Sequence, residues 1–394
     1  MPLPRHPGAP SLCVLVVASL TLGCGGDTAP TSTIVLDTAD VGRIPLPEVV
    51  ADVVDVLPRP DGGAWILNRV GPHIVVVDST GSLEFAWGVR GDGPAEFGRP
   101  TSLLGAGAPG EVWTYDAAKG ALIEVSQPSR PRSVRPTDPS VGDLVSLEMA
   151  NTGMPSPRLF TVAGRFGLAR YEGPLQATAR VWASSLMAVD TTGSATVALD
   201  LTKVLVPPAD AATRDFFIPH PLWDGCADGT LILYDPSADA LRRFGADAAE
   251  IEAIGLPGRE RPALTFERLA RLVYQREIAS TIGQAATDSA TFVRAFEVEF
   301  ERFRGRLSDV FPAYVDLRCA ENGVWIQAFD PDEGRMGRGR RWLLALADGI
   351  RGVDMPEGFT PHRFARTAIW GSVYSPIGAP ELGVIPMSAL RDSR

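Results

Sequence analysis

The sequence is poor in the side chains that most often bind metal ions or act as nucleophiles. It holds four histidines and four cysteines in 394 residues. No two histidines lie three or four residues apart, and the patterns His-Glu-x-x-His, Cys-x-x-Cys and Gly-x-Ser-x-Gly are missing. Those spacings are typical of zinc proteases, thiol redox centres and serine hydrolases. The sequence therefore predicts no catalytic residue, no resident metal and no cofactor.

Lysine is also scarce, and the overall charge is negative. Lys119 and Lys203 are the only lysines among 37 basic residues, and the arginines are scattered along the chain. With 47 acidic residues the formal net charge is −10. A nucleic-acid-binding surface needs clustered positive charge. We therefore expect no nucleic-acid partner.

The N-terminus has the pattern of an export signal. Arg5 precedes an apolar stretch of about 11 residues, which is too short to span a bilayer. Residues 20–24, Leu-Thr-Leu-Gly-Cys, resemble the bacterial lipobox, whose cysteine is acylated and becomes residue one after cleavage. Thr21 replaces the leucine preferred there, and cleavage near Ala29 without acylation is the alternative. We expect a signal peptide over residues 1–23 and a tether over 24–47, anchored in the outer membrane through lipid on Cys24.

A turn-and-strand unit recurs along the chain. Four copies combine an Asx or glycine turn with a strand that opens on a large apolar residue, a weaker copy lies at residues 165–171, and residues 368–374 resemble the strand alone. The copies lie at Trp65, Trp113, residues 165–171, Leu231, Trp325 and residues 368–374. Trp65 and Trp113 are 48 residues apart, and a helical stretch near residues 262–308 accounts for the longer gap before Trp325. The repeat predicts an all-β fold over residues 48–390, a six-bladed β-propeller with about four strands in each blade.

Two further expectations concern the edges of this ring. Residues 33–36 form a short strand placed to complete the last blade. Phe292, Phe296 and Phe300 recur at helical spacing, so residues 262–308 are expected to form a helical insertion between blades 4 and 5. Such an insertion would pack over one mouth or one edge of the ring. Seven blades or a β-sandwich are the alternative folds.

A glycine-rich segment follows the first repeat and carries a family resemblance. Its motif residues are Gly88, Gly91, Gly93, Pro94, Glu96 and Phe97. The segment resembles the Gly-Arg-x-Gly-x-Gly-Pro-Gly-Glu-Phe motif of the NHL-like six-bladed β-propeller lipoproteins of bacteria, with Ala95 in place of a glycine. The resemblance implies the propeller architecture and little chemistry, because most members of that family are uncharacterised.

The same segment has two physical interpretations. Three glycines and a proline suit a turn that needs positive φ, with Phe97 as a buried plug. Alternatively, the backbone N–H groups form a nest that captures an anion at the mouth of the ring. The structural interpretation is favoured.

Two cysteines remain once the signal peptide and Cys24 are accounted for. Cys226 and Cys319 each stand just before the turn of their own repeat, in neighbouring blades. Equivalent points on adjacent blades are usually further apart than the roughly 5.5 Å between Cα atoms that a disulfide needs, although the gap narrows near the axis. The pair is either a disulfide or two buried thiols.

The sequence leaves two classes of function open. Exposed loops on a rigid ring favour binding, so we expect a non-catalytic protein that binds an envelope protein, a peptide or a glycan. The alternative is a calcium-dependent hydrolase of the gluconolactonase type, or a lyase, at the axial mouth. Its site would draw on Asp52, Asp55, Asn68, Asp143, Asp224, Asp316 and Asn322, or on the pair His220 and His362. Three or more such side chains converging on the axis would favour the enzyme, whereas leucine, valine or arginine there would favour binding.

Overall fold

The fold is a single ring of antiparallel sheets. A computed structural model describes residues 32–93, 95–105, 110–127, 129, 131–141, 159–171, 183–206, 220–280, 289–333, 338–375 and 377–392. These residues form six blades of at least four strands each, and an apolar core lies between each pair of neighbouring blades. The predicted six-bladed propeller is therefore confirmed. None of the helices in these ranges has the length and apolarity that a membrane crossing requires.

The blades follow one another in chain order. Two short strands precede them: β1 (Ser32–Val35) and β2 (Gly42–Pro45). Blade 1 contains β3 (Val53–Pro58), β4 (Ala64–Asn68), β5 (Ile74–Val77) and β6 (Leu83–Trp87), and a small parallel pair follows, β7 (Val89–Arg90) and β8 (Glu96–Phe97). Blade 2 contains β9 (Pro100–Gly105), β10 (Val112–Asp116), β11 (Ala121–Glu124) and β12 (Ser133–Val134). Blade 3 contains β13 (Phe160–Val162), β14 (Arg165–Tyr171), β15 (Ala183–Val189) and β16 (Ala195–Asp200).

The second half of the ring repeats this order. Blade 4 contains β17 (Leu222–Gly225), β18 (Leu231–Asp235), β19 (Ala240–Phe244) and β20 (Glu250–Gly255). Blade 5 contains β21 (Tyr314–Ala320), β22 (Gly323–Phe329), β23 (Arg338–Leu346) and β24 (Gly349–Asp354). Blade 6 contains β25 (Thr360–Phe364), β26 (Ala368–Tyr374) and β27 (Pro380–Pro386). The helices are α1 (Leu201–Val204), α2 (Phe266–Ser280), α3 (Ser289–Phe303) and α4 (Ala389–Asp392), with 3-10 turns at Thr38–Asp40 and Arg304–Arg306.

Hydrogen bonds within short turns explain why the repeats can be recognised in the sequence. The six repeat copies are the second strands of the six blades: β4, β10, β14, β18, β22 and β26. In the turn between β5 and β6, Asp78 Oδ1 accepts hydrogen bonds from the backbone N of Thr80 and Ser82, at 2.8 and 3.0 Å. Asp190 caps the matching turn of blade 3 in the same way. These Asx turns need only a few adjacent residues, so the sequence alone reveals them.

The ring has two chemically different faces. Successive strands run in opposite directions, so the turns after the first and third strands of each blade lie on one side, which we call the turn face. The connections after the second and fourth strands lie on the other side, which we call the loop face. The turn face consists largely of short polar turns, and the loop face carries the longer connections.

The prediction for residues 33–36 is wrong in its partner. β2, not β1, completes blade 6, where it pairs antiparallel with β27. β1 pairs in parallel with β24 and gives blade 5 a fifth strand. β1 lies there because Ile34 and the following Leu36 are buried in the core between blades 5 and 6. β2, with its exposed Arg43 and Pro45, carries too weak a strand signal to be recognised from sequence.

The helical insertion lies on the loop face, between blades 4 and 5. α2 and α3 fall inside the predicted range 262–308. Leu269 and Leu272 of α2 pack on Phe311 and Phe329, which lie at the loop-face end of blade 5. The insertion is thus fixed to the edge of one blade by an apolar contact.

Candidate functional site

The axial candidates begin with two aspartates that play the same structural part in different blades. The innermost strand of a blade has one open edge, whose backbone groups need partners. Asp55 Oδ2 accepts a hydrogen bond of 2.8 Å from the backbone N of Leu103 in the next blade. Asp224 Oδ2 accepts one of 2.9 Å from the backbone N of Cys319 in the same manner. These carboxylates join neighbouring innermost strands.

Arg363 satisfies the carbonyl groups of the same edge. Its Nη2 donates to the carbonyl oxygen of Leu103 at 2.6 Å and to Asp55 Oδ2 at 3.3 Å, and its Nε donates to the carbonyl oxygen of Val56 at 3.4 Å. One guanidinium therefore connects blades 6, 1 and 2. Asp316 and Arg318 form a second buried pair within β21, with Nη2 and Oδ2 2.8 Å apart.

The strand register shows what occupies corresponding points of the innermost strands. The residues opposite the second-strand anchors are Leu57, Leu104, Gly225, Arg318 and Arg363, facing Trp65, Trp113, Leu231, Trp325 and Trp370. Leucine and arginine, rather than carboxylates or histidines, therefore fill most of these positions.

The remaining polar candidates are also engaged in structural contacts. Asp52 accepts hydrogen bonds from Arg69 Nε at 2.6 Å and from the Tyr374 hydroxyl at 2.8 Å. Asn68 accepts from the backbone N of Asp52 and donates to three carbonyl groups of the surrounding loops. Asn322 lies on the turn face, where its Nδ2 contacts Met387, and Asp143 lies outside the described residues.

The two histidines proposed for a lyase stand in different blades. His220 precedes β17 of blade 4, and burial lowers its pKa to about 4. His362 lies in β25 of blade 6, where its Nε2 is 2.9 Å from the Ser372 hydroxyl. Within the part of the chain that the structure describes, no group of three histidine, cysteine, aspartate or glutamate side chains is arranged to hold a metal ion.

The glycine-rich segment is filled by its own side chains. Phe97 is fully buried and packs against Trp87, and a β-carbon at Gly88, where φ is +85°, would lie 2.3 Å from its ring. Glu96 folds back so that its carboxylate accepts a hydrogen bond of 2.8 Å from the backbone N of Gly93. The same carboxylate leaves no room for a side chain at Gly91.

A lysine closes this segment from the next blade. Lys119 Nζ donates to the carbonyl oxygens of Gly93 and Glu96, at 2.8 and 2.7 Å. An internal carboxylate therefore takes the place that an anion would have in the nest hypothesis, which supports the structural interpretation. Pro94 lies outside the described residues.

Cys226 and Cys319 form a disulfide in the structure. Their Cα atoms are 5.1 Å apart, because the innermost strands β17 and β21 approach each other near the axis. Asp224 bonds to the backbone N of Cys319 beside it. The bond therefore joins blades 4 and 5 on the turn face, opposite the helical insertion. Cys24 lies outside the described residues.

Exposed apolar side chains gather on the loop face. They are Val49, Val70, Val89, Val206, Val293, Val298, Tyr374 and Ile377. Among the described residues, the other large exposed apolar side chains lie on outermost strands: Val35, Leu83, Val197 and Ile251. Scattered exposed apolar residues need no explanation, but a group on one face marks an interaction surface.

Five of these side chains lie on loop-face connections of blades 6 and 1, and we call them the apolar patch: Val49, Val70, Val89, Tyr374 and Ile377. Asn68 Nδ2 donates to the carbonyl oxygens of Val49 and Val70, which holds those two residues together. A β-carbon added at Gly71 would lie 3.7 Å from the Cα atom of Val89, so these two connections run beside each other. The patch is the candidate functional site.

Comparison with known proteins supports the architecture alone. No family model matches the sequence, and no curated protein matches it. A member of the DUF4221 family from Bacteroides vulgatus is similar in structure, with a TM-score of 0.52, 10% identity, and 88% of this chain and 96% of that chain covered. Virginiamycin B lyase from Staphylococcus aureus (TM-score 0.43, 11% identity, 88% and 98% covered) and a gluconolactonase from Xanthomonas campestris (0.42, 11%, 91% and 99%) are further matches. An identity of 10% shows the fold and no more, and the match to the DUF4221 member agrees with the β-propeller described above.

Proposed function

We propose that this chain is a non-catalytic β-propeller of the cell envelope, anchored by lipid on Cys24, that binds a protein, peptide or glycan through its loop face. The observation that carries the proposal is the gathering of exposed apolar side chains on that face. The turn face is made of polar turns whose carboxylates already bind their own backbone. A face that keeps apolar groups in water at a free-energy cost is typical of a surface that a partner covers.

The polar groups on the innermost strands support binding over catalysis. A hydrolase or lyase needs carboxylates or histidines that are available to a metal ion or a substrate. Asp55, Asp224 and Asp316 instead stabilise the strands around them. Removing any of these acids from its partners to serve a ligand would leave a buried donor without an acceptor.

Site-specific photo-crosslinking in intact cells tests the proposal. A photoreactive amino acid would replace Val206 or Ile377 on the loop face, and Ser79 or Thr191 on the turn face as matched exposed controls. We expect a discrete crosslinked species from the loop-face positions and none from the turn-face positions. Crosslinks confined to the turn face, or none from either loop-face position, would contradict the proposal.

Membrane fractionation of the Cys24→Ser variant tests the proposed anchor. Recovery of this variant in the membrane fraction at the parental level would contradict the anchor.

A further inference from the structure

Blade 5 has its four strands before β1 is counted. β21, β22, β23 and β24 follow one another in the chain and pair antiparallel in that order, as the strands of the other blades do. β1 comes from the other end of the chain and lies parallel to β24 as a fifth strand. Among the described residues, no other blade has more than four strands. The outer edge of β24 therefore accepts an added strand, and β1 shows which segment fits it.

Backbone pairing and two apolar side chains hold β1 in place. The strand pairs residue by residue with residues 351–354 of β24, and the backbone N of Leu36 donates to the carbonyl oxygen of Asp354 at 3.0 Å. Ile34 and Leu36 are buried in the core between blades 5 and 6, while Val35 between them is 63% exposed. Main-chain hydrogen bonds, with every second side chain in a pocket, are the contacts by which a sheet edge recognises an added strand.

A short, largely exposed turn connects β1 to β2, which belongs to blade 6. Asp37 Oδ1 accepts a hydrogen bond of 3.2 Å from the backbone N of Ala39, and the backbone N of Asp37 donates to Asp40 Oδ2 at 2.7 Å. Among the described residues, the hydrogen bonds of Asp37, Thr38 and Asp40 all join members of this turn or the adjoining Val41. The turn can therefore change direction without breaking a hydrogen bond to either blade.

We propose that two copies of the chain exchange β1 reciprocally, so that β1 of each copy forms the fifth strand of blade 5 in the other. Exchange of an identical element keeps the contacts of the closed monomer and costs the rearrangement of the turn and the entropy of association. A foreign strand is disfavoured, because it would displace a tethered competitor and leave Ile34 and Leu36 in water. Reciprocal exchange keeps both sites filled and both pairs of side chains buried. This contact lies at the rim of the ring and is independent of the binding proposed for the loop face.

Cysteines placed across β1 and β24 test the exchange. Gly352 is buried beneath β1, and a β-carbon added there would lie 3.6 Å from the β-carbon of Thr33, a separation that suits a disulfide. Thr33→Cys and Gly352→Cys would be made separately in the mature chain, residues 24–394, with Cys24→Ser in both, then mixed and oxidised. We expect a crosslinked heterodimer whose share rises with protein concentration. Val197→Cys mixed with Gly352→Cys is the matched control, because Val197 is exposed on the outermost strand of blade 3, and this mixture should give no such species.

The double variant Thr33→Cys, Gly352→Cys separates exchange from the position of β1. At low concentration it should form the disulfide within one chain. The unlocked parent should form dimers on size-exclusion chromatography at high concentration, and the locked chain should lose them. Three results would each overturn the inference: no bond within the double variant, heterodimers no more abundant than in the Val197 control, or dimers that persist in the locked chain. None of these measurements involves the loop face, so the proposed function is tested separately.

Discussion

Single buried acids in this ring act as caps for backbone groups. A propeller leaves the inner edge of each blade open toward the axis, and an open edge has N–H and C=O groups without strand partners. Asp55 and Asp224 each reach one such N–H in the following blade. Arg363 reaches the carbonyl groups. These side chains therefore contribute to stability mainly at the junctions between neighbouring blades.

Asp55→Ala tests this role at one junction. The substitution removes the acceptor for the backbone N of Leu103 and leaves Arg363 without its carboxylate. We expect a loss of about 3 kcal/mol in the free energy of unfolding, measured by urea denaturation. Asp348→Ala is the control, because Asp348 forms an exposed pair with Arg351 and should change stability by less than about 1 kcal/mol. Equal effects of the two substitutions would contradict the capping role.

The sequence could not reveal these caps. The acids around the axis invite comparison with calcium ligands or with turn formers, and both comparisons rest on residue type. Asp55 lies within β3 and Asp224 within β17, so neither forms a turn. Their partners come from the next blade, 48 and 95 residues along the chain. A pattern limited to neighbouring residues carries no information about contacts of that range.

At the scale of strands and helices, the sequence predicts those elements whose formation depends on residues close together in the chain. Five of the six second strands can be recognised in the sequence because each follows an Asx or glycine turn, and β26 is the exception. The insertion was legible because its apolar residues repeat at helical spacing. The sequence does not predict which blades β1 and β2 join. The place of β1 depends on the burial of Ile34 and Leu36 in the core between blades 5 and 6, which is a contact between distant parts of the chain.

The disulfide joins two neighbouring blades whose cysteines lie far apart along the chain. Cys226 and Cys319 are 93 residues apart, and the helical insertion lies between them. Cross-linking restricts the unfolded chain more as the closed loop lengthens. Blades 4 and 5 are joined on the turn face by this bond and on the loop face by their own packing.

Removing the disulfide should therefore lower stability by up to about 4–5 kcal/mol. The change is the double substitution Cys226→Ala and Cys319→Ala, and the measurement is thermal or urea unfolding of the full chain with and without reductant. The parent in reductant should approach the stability of the variant, while the variant itself should not respond. A parent that is insensitive to reductant although its thiols become free would contradict a stabilising bond.

At the scale of the whole molecule, the N-terminal segment closes the ring. β2 supplies the outermost strand of blade 6, with Arg43 paired to Glu381 at 3.0 Å and Ile44 packed in the core between blades 6 and 1. The first and last parts of the chain therefore share one blade. We expect a ring closed in this way to unfold cooperatively, because every blade packs against a neighbouring blade on both sides.

Stepwise truncation tests that closure. A chain that starts at residue 32 keeps both strands and should match the parent's unfolding midpoint. One that starts at residue 37 loses β1 and the burial of Ile34 and Leu36, which should cost about 3 kcal/mol. One that starts at residue 47 also loses β2, so the junction of blades 6 and 1 opens, and we expect a broad, non-coincident transition by circular dichroism and tryptophan fluorescence. If the last two chains unfolded alike, blade 6 would be complete without β2, and closure would depend on packing between the blades alone.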